Sequence, residues 1–173
     1  MKDNQLVIRE ARSDELDKVA VLIRDAYQEY ENSLPPGAWK YYVRDIMDVR
    51  SRLKESQLIV AEMGGQLTGT VTLYLDAGVL AQEKWPHGWA AIRLLAVDPA
   101  YRGHGIGGEL MKECFRRCRS KGIAVLGLHT TEIMDVARRM YERMGFVRAP
   151  DYDFYPRRDM VVMAYRLDLS PTA

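Results

Sequence analysis

The chain has 173 residues, 47% of them hydrophobic and 28% charged, and this length is typical of one compact domain. Its 25 Lys and Arg balance 24 Asp and Glu to a formal charge of +1. This argues against a nucleic-acid-binding protein, which carries a strong positive excess. Residues 1–5 lack the apolar run of a signal peptide, and no stretch reaches the ~18 apolar residues of a membrane-spanning helix. We therefore expect a cytoplasmic protein without nucleic-acid or membrane partners.

The hydrophobic pattern alternates between helical and strand-like segments. Ser13 is predicted to cap the first helix, and Pro35-Pro36-Gly37 ends it. Residues 76–88 are polar and interrupted by glycine and proline, which predicts a surface loop that could touch a ligand. The predicted elements, in chain order, are a strand at 6–9, a helix carrying Leu16 to Tyr30, a helix from 39 to about 54, a hairpin of strands 57–63 and 67–75, a strand at 89–97, a helix from 101 to about 121, a strand at 123–129, a helix at 134–144, and strands at 146–147 and 160–169.

The two cysteines occupy one face of the predicted helix 101–121. Cys114 and Cys118 continue the apolar stripe that begins with Ile106 and Leu110, which favours burial in the core over a metal site. Residues four apart on a helix do not readily reach disulfide geometry, so a reducing compartment is expected.

A glycine-rich segment between a buried strand and a helix carries the most informative functional signal. It reads Arg102-Gly103-His104-Gly105-Ile106-Gly107. Glycines let the backbone approach a phosphate closely, and the unpaired amides and dipole of a first helical turn favour an anion. A pyrophosphate suits such a loop, and Arg102 would add a charge-assisted hydrogen bond at its rim.

Two other interpretations of these glycines are weaker. Gly103, Gly105 and Gly108 match the GxGxxG pattern of dinucleotide-binding folds. Those folds place an acidic ribose ligand ~20 residues onward, where this chain has Leu126-Gly127-Leu128-His129, and too few residues follow Gly108 for the rest of such a domain. A glycine-rich turn without a ligand is disfavoured because the glycines cost conformational entropy without an evident structural need.

Two motifs resemble those of the GNAT family of N-acetyltransferases. Leu95-Ala96-Val97-Asp98-Pro99, followed by the glycine loop, resembles the family's acetyl-CoA motif, Arg/Gln-x-x-Gly-x-Gly/Ala after a strand. The segment Ala137-Arg138-Arg139-Met140-Tyr141-Glu142-Arg143-Met144-Gly145-Phe146 resembles the family's Ala-x-x-hydrophobic-Tyr-x-x-hydrophobic-Gly-Phe helix end. The likeness extends over about residues 6–168.

The resemblance implies the fold and the coenzyme. We expect a single N-acetyltransferase domain over residues 1–173, of the α/β class, with a central, mixed but mostly antiparallel sheet of six to seven strands flanked by about four helices. Acetyl-CoA would be the co-substrate, with its pantetheine arm between strands 89–97 and 123–129, and no metal is expected. The coenzyme-binding residues implied by the resemblance are Leu95, Val97, Arg102, Gly103, His104, Gly105, Ile106, Gly107, Ala137 and Tyr141.

The resemblance also implies two catalytic roles. The backbone N–H of Val97 would stabilise the negative charge that develops on the thioester oxygen. Tyr141 would protonate the departing thiolate, because a phenol with its ordinary pKa near ~10 is protonated at neutral pH. The alternative for Tyr141 is a core aromatic on its helix.

Two positions depart from the family pattern. The glutamate that some members carry in the strand before Val97 is absent, so the general base stays open. Met134 stands where the family often has an asparagine that contacts the coenzyme, so no polar contact is assigned there. The candidate bases are Glu132, His129, Asp76 and Tyr74.

The expected activity is transfer of acetyl to a primary amine of a small molecule or a peptide N-terminus, by direct attack without a covalent enzyme intermediate. The alternative is a non-catalytic acyl-CoA-binding or sensing module with the same fold. Dimers are common in the family, so a homodimer is a further expectation. Aromatic residues that could line the acceptor side are Tyr27, Tyr30, Trp39, Tyr74, Tyr152 and Tyr155.

Overall fold

The computed structural model of the protein describes residues 5–170. The sequence-based expectation about a signal peptide concerns residues 1–5, most of which lie outside the described residues. Within this range the chain forms two compact units. The first holds residues 5–73 and 94–114, and the second holds residues 74–93 and 115–170. The expectation of one domain over residues 1–173 stays a prediction.

Helices and strands alternate along both units. The helices are α1 Leu16–Tyr27, α2 Ala38–Met47, α3 Val49–Arg52, α4 Ile106–Ser120 and α5 Asp135–Arg143. The strands are β1 Leu6–Glu10, β2 Gln57–Met63, β3 Gln66–Tyr74, β4 Ala90–Val97, β5 Val125–Thr130, β6 Val147–Arg148, β7 Phe154–Arg157 and β8 Met160–Asp168. None of the helices between residues 5 and 170 is both long and apolar enough to cross a membrane.

In the first unit the strand order is β1-β2-β3-β4. β1 pairs antiparallel with β2, and β2 pairs antiparallel with β3, which confirms the predicted hairpin. The core is built on the apolar face of α1, whose Val19 and Ile23 are buried beside Ile46 of α2 and Val60 of β2. This face has the three-and-four spacing that the sequence shows, so helix periodicity predicts the core of this unit.

In the second unit the strand order is β4-β5-β8-β6, and β7 pairs with β8. The start of β4 pairs in parallel with β5 at Ala90 and Ala91, and β8 runs antiparallel to its neighbours. A Cβ on Gly127 of β5 would lie 2.9 Å from the ring of Trp85, so the indole lies directly against the strand backbone. Small side chains surround this indole, namely Ala77, Ala91, Ala149 and Ala164.

Two predictions about the first helix are wrong. Ser13 does not cap it, because Ser13 lies inside a short 3-10 turn, Ser13–Glu15, and no side chain caps the start of α1. The α-helix ends at Tyr27 and residues Gln28–Ser33 continue as a 3-10 helix. Tyr30, which the apolar spacing placed on the helix, therefore lies on the tighter turn beyond it.

The predicted helix 39–54 is two helices, α2 and α3. The chain leaves the helical region at Asp48 (φ −78°, ψ 67°), whose carboxylate accepts hydrogen bonds from the backbone N–H and the hydroxyl of Ser51. An aspartate that bonds locally in this way begins a new helix rather than continuing the old one. Strand β7 has no counterpart among the predicted elements.

The prediction that both cysteines are core residues is confirmed. Cys114 and Cys118 are fully buried and form no disulfide. Burial raises the pKa of the Cys118 thiol to about 11, so this thiol is protonated at neutral pH and has little nucleophilic character. In the part of the chain that the structure describes, no three His, Cys, Asp or Glu side chains group as metal ligands.

We predict that Gly69→Ala lowers the free energy of unfolding by about 1–3 kcal/mol, the usual cost of overpacking. A Cβ at this position of β3 would lie 2.8 Å from Ile106 Cγ2, 3.0 Å from Leu110 Cδ1 and 3.2 Å from Ala96 O. Urea unfolding followed by tryptophan fluorescence measures the change. In an Ile106→Ala background the same substitution should cost less, because the nearest clashing atom is gone. Equal costs in both backgrounds would contradict the close approach.

Candidate functional site

β4 ends in a turn that leads into the glycine loop. The backbone N–H of Asp98 donates to Thr68 O of β3 at 2.9 Å. The Asp98 carboxylate accepts a hydrogen bond from the backbone N–H of Ala100, also at 2.9 Å. Pro99 begins the short 3-10 turn that follows. The entry to the loop is thus anchored to β3 within the first unit.

The loop itself, residues 102–107, runs into the first turn of α4. Gly103 and Gly105 have φ values of +83° and +74°, which other residues rarely adopt. A Cβ at either position would meet nothing within 4 Å, so backbone conformation rather than packing requires glycine here. Ile106 is buried, and the Nδ1–H of His104 donates to Tyr101 O at 2.9 Å. The segment therefore has an open backbone surface at a helix N-terminus, which suits an anion.

The Arg102 side chain is tied to the end of α1 and the turn after it. Its guanidinium forms an ion pair with Glu29 at 2.9 Å and donates to Ala26 O at 3.1 Å. Both side chains of the pair are nearly half exposed, so the pair is weak in free energy. The predicted contact of Arg102 with a pyrophosphate stays a prediction, and Glu29 is a competing carboxylate that the sequence does not reveal.

Leu94 gives β4 an unusual backbone just before the two residues expected to contact the coenzyme. Its φ is +54°, a strained conformation for a residue with a branched side chain. The carbonyl of the next residue, Leu95, accepts a hydrogen bond from the Tyr27 hydroxyl at 3.1 Å. Val97 is half-buried at the end of the strand. In the first unit, Leu95, Val97 and the glycine loop are therefore consecutive parts of one strand–turn–helix segment.

An aromatic cluster of the first unit adjoins Leu95 through Tyr27. Tyr27 packs against Tyr30 and Tyr42, with ring centroids 5.7 and 6.4 Å apart, and Trp39 packs against Tyr42 at 6.0 Å. Burial raises the pKa of Tyr30, and the adjacent Glu29 carboxylate raises it further. Tyr27, Tyr30 and Trp39 were expected on the acceptor side. Tyr42 was not expected there, because its position fits the apolar spacing of the predicted helix and gives no separate signal of a binding role.

Tyr141 and Ala137, the residues of the second motif, lie on α5 in the second unit. Tyr141 is buried and meets Phe146 edge to face, with centroids 5.7 Å apart. The backbone N–H of Phe146 donates to Tyr141 O at 3.1 Å. This packing supports the core-aromatic interpretation of the ring, and the catalytic role of its hydroxyl stays a prediction. Ala137 is half-buried one turn earlier on the helix.

His129 is bound at both ring nitrogens. Nε2 lies 2.8 Å from the carbonyl oxygen of Tyr152, and Nδ1 lies 3.3 Å from a carboxylate oxygen of Glu83. The ring also lies 4.5 Å from Trp85 and 4.9 Å from Phe154, and the His129 side chain is 8% exposed. His129 is therefore a buried residue whose two ring nitrogens are already engaged by protein oxygens.

Glu83 is the charged centre of this cluster. Its side chain, 11% exposed, pairs with Arg93 at 3.3 Å and accepts a hydrogen bond from the Trp85 indole N–H at 2.6 Å. Burial opposes ionisation of this carboxyl, but the His129 hydrogen bond and the Arg93 charge outweigh it and hold the pKa of Glu83 below its ordinary value. The sequence analysis missed Glu83, since a lone glutamate in a polar loop carries no spacing signal.

The remaining candidate bases have different surroundings. The Asp76 carboxylate accepts from the backbone N–H of Gly78 at 3.0 Å, and Tyr74 is buried at 2% exposure. Glu132 is exposed, and it has no partner among residues 5–170. Asp76 and Glu132 are both exposed, so either carboxylate is available to a substrate, and Glu132 is the one without a competing hydrogen bond in the described part of the chain.

The aromatic residues expected on the acceptor side do not all behave alike. Tyr152 of the second unit packs against Trp85 at 5.6 Å and Trp89 at 5.2 Å. Tyr155 is 65% exposed. Of the six residues, Tyr27, Tyr30 and Trp39 belong to the aromatic cluster of the first unit, and Tyr152 belongs to the aromatic cluster of the second unit. Tyr74 is buried at the end of β3, and Tyr155 is exposed to solvent.

The chain matches a known protein family over most of its length. The profile described as Acetyltransferase (GNAT) family matches residues 16–146. The chain therefore belongs to the acetyltransferase (GNAT) family, which confirms the resemblance seen in its two motifs. The α/β fold expected for this family is also confirmed, with eight strands and five α-helices in the part of the chain described above.

Individual relatives are similar over part of their length. Probable N-acetyltransferase family 8 member 5 of Mus musculus is 36% identical over 95 residues, 54% of this chain and 39% of that protein. N-acetyltransferase 8B of Rattus norvegicus is 32% identical over 124 residues, 66% of this chain and 53% of that protein. The chain thus matches about half, or less, of the length of these curated relatives.

A solved structure shows the same fold. The PaiA N-acetyltransferase of Thermoplasma acidophilum, determined in complex with coenzyme A, aligns with a TM-score of 0.74 and 17% identity over 94% of this chain and 99% of that chain. At this identity the likeness is evidence for the fold alone.

We predict that Glu83→Gln lowers the free energy of unfolding at pH 7 by about 1–3 kcal/mol, because it leaves the buried partners of the carboxylate poorly paired. The difference from the unsubstituted protein should vanish on acidification. The folded-state pKa of Glu83 is depressed, so its contribution is present in full above the unfolded pKa of ~4.3 and is lost as pH falls through the folded value.

Urea unfolding at intervals from pH 7 to pH 3 measures this difference. Glu55→Gln is the matched control, because Glu55 is solvent-exposed and its substitution should shift stability little at any pH. A difference for Glu83→Gln that stays constant over the whole range would contradict an ionised carboxylate at this site.

Proposed function

We propose that this protein binds acetyl-CoA and transfers the acetyl group to a primary amine of a small molecule or a peptide N-terminus. The observation that carries the proposal is the loop of residues 102–107. Its glycines at positive φ and its position at the start of α4 provide open amide groups for a diphosphate. Membership of the family and the resemblance of its acetyl-CoA motif make coenzyme A the diphosphate ligand that fits.

The chemistry is direct attack of the amine nitrogen on the thioester carbonyl. A C–N bond forms, the carbonyl electrons move to oxygen, and the backbone N–H of Val97 donates to that oxyanion. The C–S bond then breaks and the thiolate leaves. In our proposal the Tyr141 hydroxyl protonates the thiolate, and the proton lost by the amine passes through water to Glu132. Coenzyme A and the amide are the products, and no metal takes part.

The aromatic cluster of Tyr27, Tyr30, Trp39 and Tyr42 supports an acceptor with an apolar or aromatic substituent beside its amine. Its rings pack together next to Leu95, one of the residues implied in coenzyme binding. Aromatic surfaces contribute binding energy through large apolar area and through attraction of cations to ring faces. A small amphipathic amine or a peptide N-terminus fits this surface better than a polycation, which would need several carboxylates.

Ligand-induced thermal shifts test the proposed coenzyme. A ligand at 100 times its dissociation constant stabilises a folded protein by about 2.7 kcal/mol, which raises the melting temperature of a domain of this size by several degrees. We expect this shift with acetyl-CoA and with coenzyme A, and none with NAD. Stabilisation by NAD alone would favour a dinucleotide-binding protein instead. No shift with any of the three would contradict the proposal.

Substitution of Tyr141 by Phe tests the proposed acid. We expect kcat to fall by about 10²-fold, within the usual range for a general acid, while the KM for acetyl-CoA stays nearly unchanged. Release of free thiol in the presence of an amine panel measures both constants. Tyr41→Phe is the matched control because Tyr41 is 71% exposed, and its kcat should equal that of the unsubstituted protein.

An unchanged kcat for Tyr141→Phe would show that the acid assignment is wrong. Coenzyme binding without thiol release across the whole panel would favour a non-catalytic acyl-CoA-binding module.

A further inference from the structure

The parallel ladder between β4 and β5 is short. Ala90 pairs with Leu126 and Ala91 pairs with Gly127, and within residues 5–170 no further pair of these two strands follows. Both strands nevertheless continue, β4 to Val97 and β5 to Thr130. In the second unit the two strands therefore run on beyond Ala91 and Gly127 without a backbone ladder between them.

The Trp85 indole covers one face of the sheet at the last paired residues. It belongs to the same core cluster as Ala91, and a Cβ on Gly127 would lie 2.9 Å from its ring. Residues two apart in a strand share a face. Arg93 of β4 therefore lies on this face just beyond Ala91, and His129 of β5 lies on it just beyond Gly127.

Glu83 reaches both strands on this face, two residues beyond the last pair. Its Oε1 lies 3.3 Å from Arg93 Nε of β4, and its Oε2 lies 3.3 Å from His129 Nδ1 of β5. The indole N–H of Trp85 donates to the same Oε2 at 2.6 Å. The carboxylate thus directs one oxygen toward each strand, and Trp85 orients it.

This bridge is shielded from water. The side chains of Glu83 and His129 are 11% and 8% exposed, so their interaction is screened less than that of a surface pair. Strands joined by a ladder lie about 4.8 Å apart. A side-chain bridge instead holds two strands without closing the ladder, so the backbone N–H and C=O groups along the gap stay available to an extended ligand.

We propose that Glu83 is a positioning residue that fixes the separation of β4 and β5 where their ladder ends, and so prepares the gap for the pantetheine arm of coenzyme A. The inference rests on the proposed function and on the arm lying between these two strands. The arm carries two secondary amides, which can pair with a strand edge as a peptide does. Glu83 acts through Arg93 and His129 and touches neither the arm nor the reacting atoms.

Glu83→Gln removes the charge of the bridge. We expect the dissociation constant of coenzyme A, measured by titration calorimetry, to rise about fivefold, the worth of one hydrogen bond, because binding must then order a gap that is no longer preformed. Adenosine 3′,5′-bisphosphate lacks the arm, and its dissociation constant should not change. Glu83→Asp keeps the charge but is one CH₂ shorter, so it cannot span both strands and should weaken coenzyme A similarly.

Asp153→Asn is the matched control for a loss of stability alone. Asp153 is a carboxylate of the same unit, 8% exposed, that pairs with Arg148 at 2.7 Å and accepts from the backbone N–H of Ala164 at 2.7 Å. Its replacement should lower the melting temperature, as Glu83→Gln does. The dissociation constant of coenzyme A should stay within twofold of that of the unsubstituted protein.

The two strand partners test whether the bridge acts as one unit. Arg93→Met removes the contact with β4. His129→Gln removes the contact with β5, while its amide can keep the hydrogen bond to Tyr152 O. Either loss breaks the bridge, so each single variant should weaken coenzyme A about as much as Glu83→Gln. The double variant should be no weaker than the weaker single one, because residues of one network are not additive.

Three results would overturn the positioning role and leave the proposed function intact. The first is a Glu83→Gln or Glu83→Asp variant that binds coenzyme A within twofold of the unsubstituted protein. The second is equal weakening of coenzyme A and adenosine 3′,5′-bisphosphate. The third is additive effects of Arg93→Met and His129→Gln, which would show two separate contacts. Failure of the unsubstituted protein to bind coenzyme A would end both the positioning role and the proposed function.

Discussion

The close approach of α4 to β3 is the constraint on which the glycine loop depends. At Gly69 the strand backbone comes so near to Ile106 and Leu110 that no side chain fits between them. Ile106 is also the first residue of α4, so this contact holds the helix N-terminus at a fixed distance from β3. The loop bridges the short gap between the two fixed points, Asp98 on one side and Ile106 on the other. Glycine gives its backbone the positive φ values of this bridge without the strain that a side chain would add.

A buried charge has a comparable role in the second unit. The long segment between β3 and β4 is anchored in part by Ala77 and Trp85, which are buried in the core of this unit. Glu83 adds a set of polar contacts to Arg93, His129 and the Trp85 indole. Trp85 in turn lies on the backbone of β5 at Gly127. A segment that its polar composition predicts to be a surface loop is therefore held by one carboxylate and one indole.

The sequence predicts well whatever depends on local chemistry. The apolar face of α1, the β2–β3 hairpin, the buried cysteines and the glycine loop all follow from spacing or backbone preference within a few residues. It predicts poorly where two local backbone arrangements compete. Ser13 has the chemistry of a cap but lies within a 3-10 turn, and the helix through Asp48 is broken by a bond to Ser51 that competes with helix continuation.

The residues of the candidate site also differ in how far the sequence predicts them. The motifs identify Arg102 and Tyr141, but nothing in the spacing marks Glu83, whose partners come from three separate segments. Nor does the sequence show that the Thr130 and Thr131 hydroxyls lack hydrogen-bond partners among residues 5–170, because an unpaired hydroxyl is a property of the packed structure. Such groups are found only after every bond around them has been assigned.

Arg102 connects two parts of the first unit that would otherwise act separately. Its guanidinium bonds Glu29 and the carbonyl of Ala26, and Tyr27 and Tyr30 of the aromatic cluster flank that same short segment. An anion that binds at the glycine loop competes with Glu29 for Arg102 and so changes the restraint on those rings. By thermodynamic linkage the effect is reciprocal, so a molecule that reorders the rings alters affinity for the anion by the same factor. The affinities of two ligands for this unit would then be coupled through a single surface ion pair.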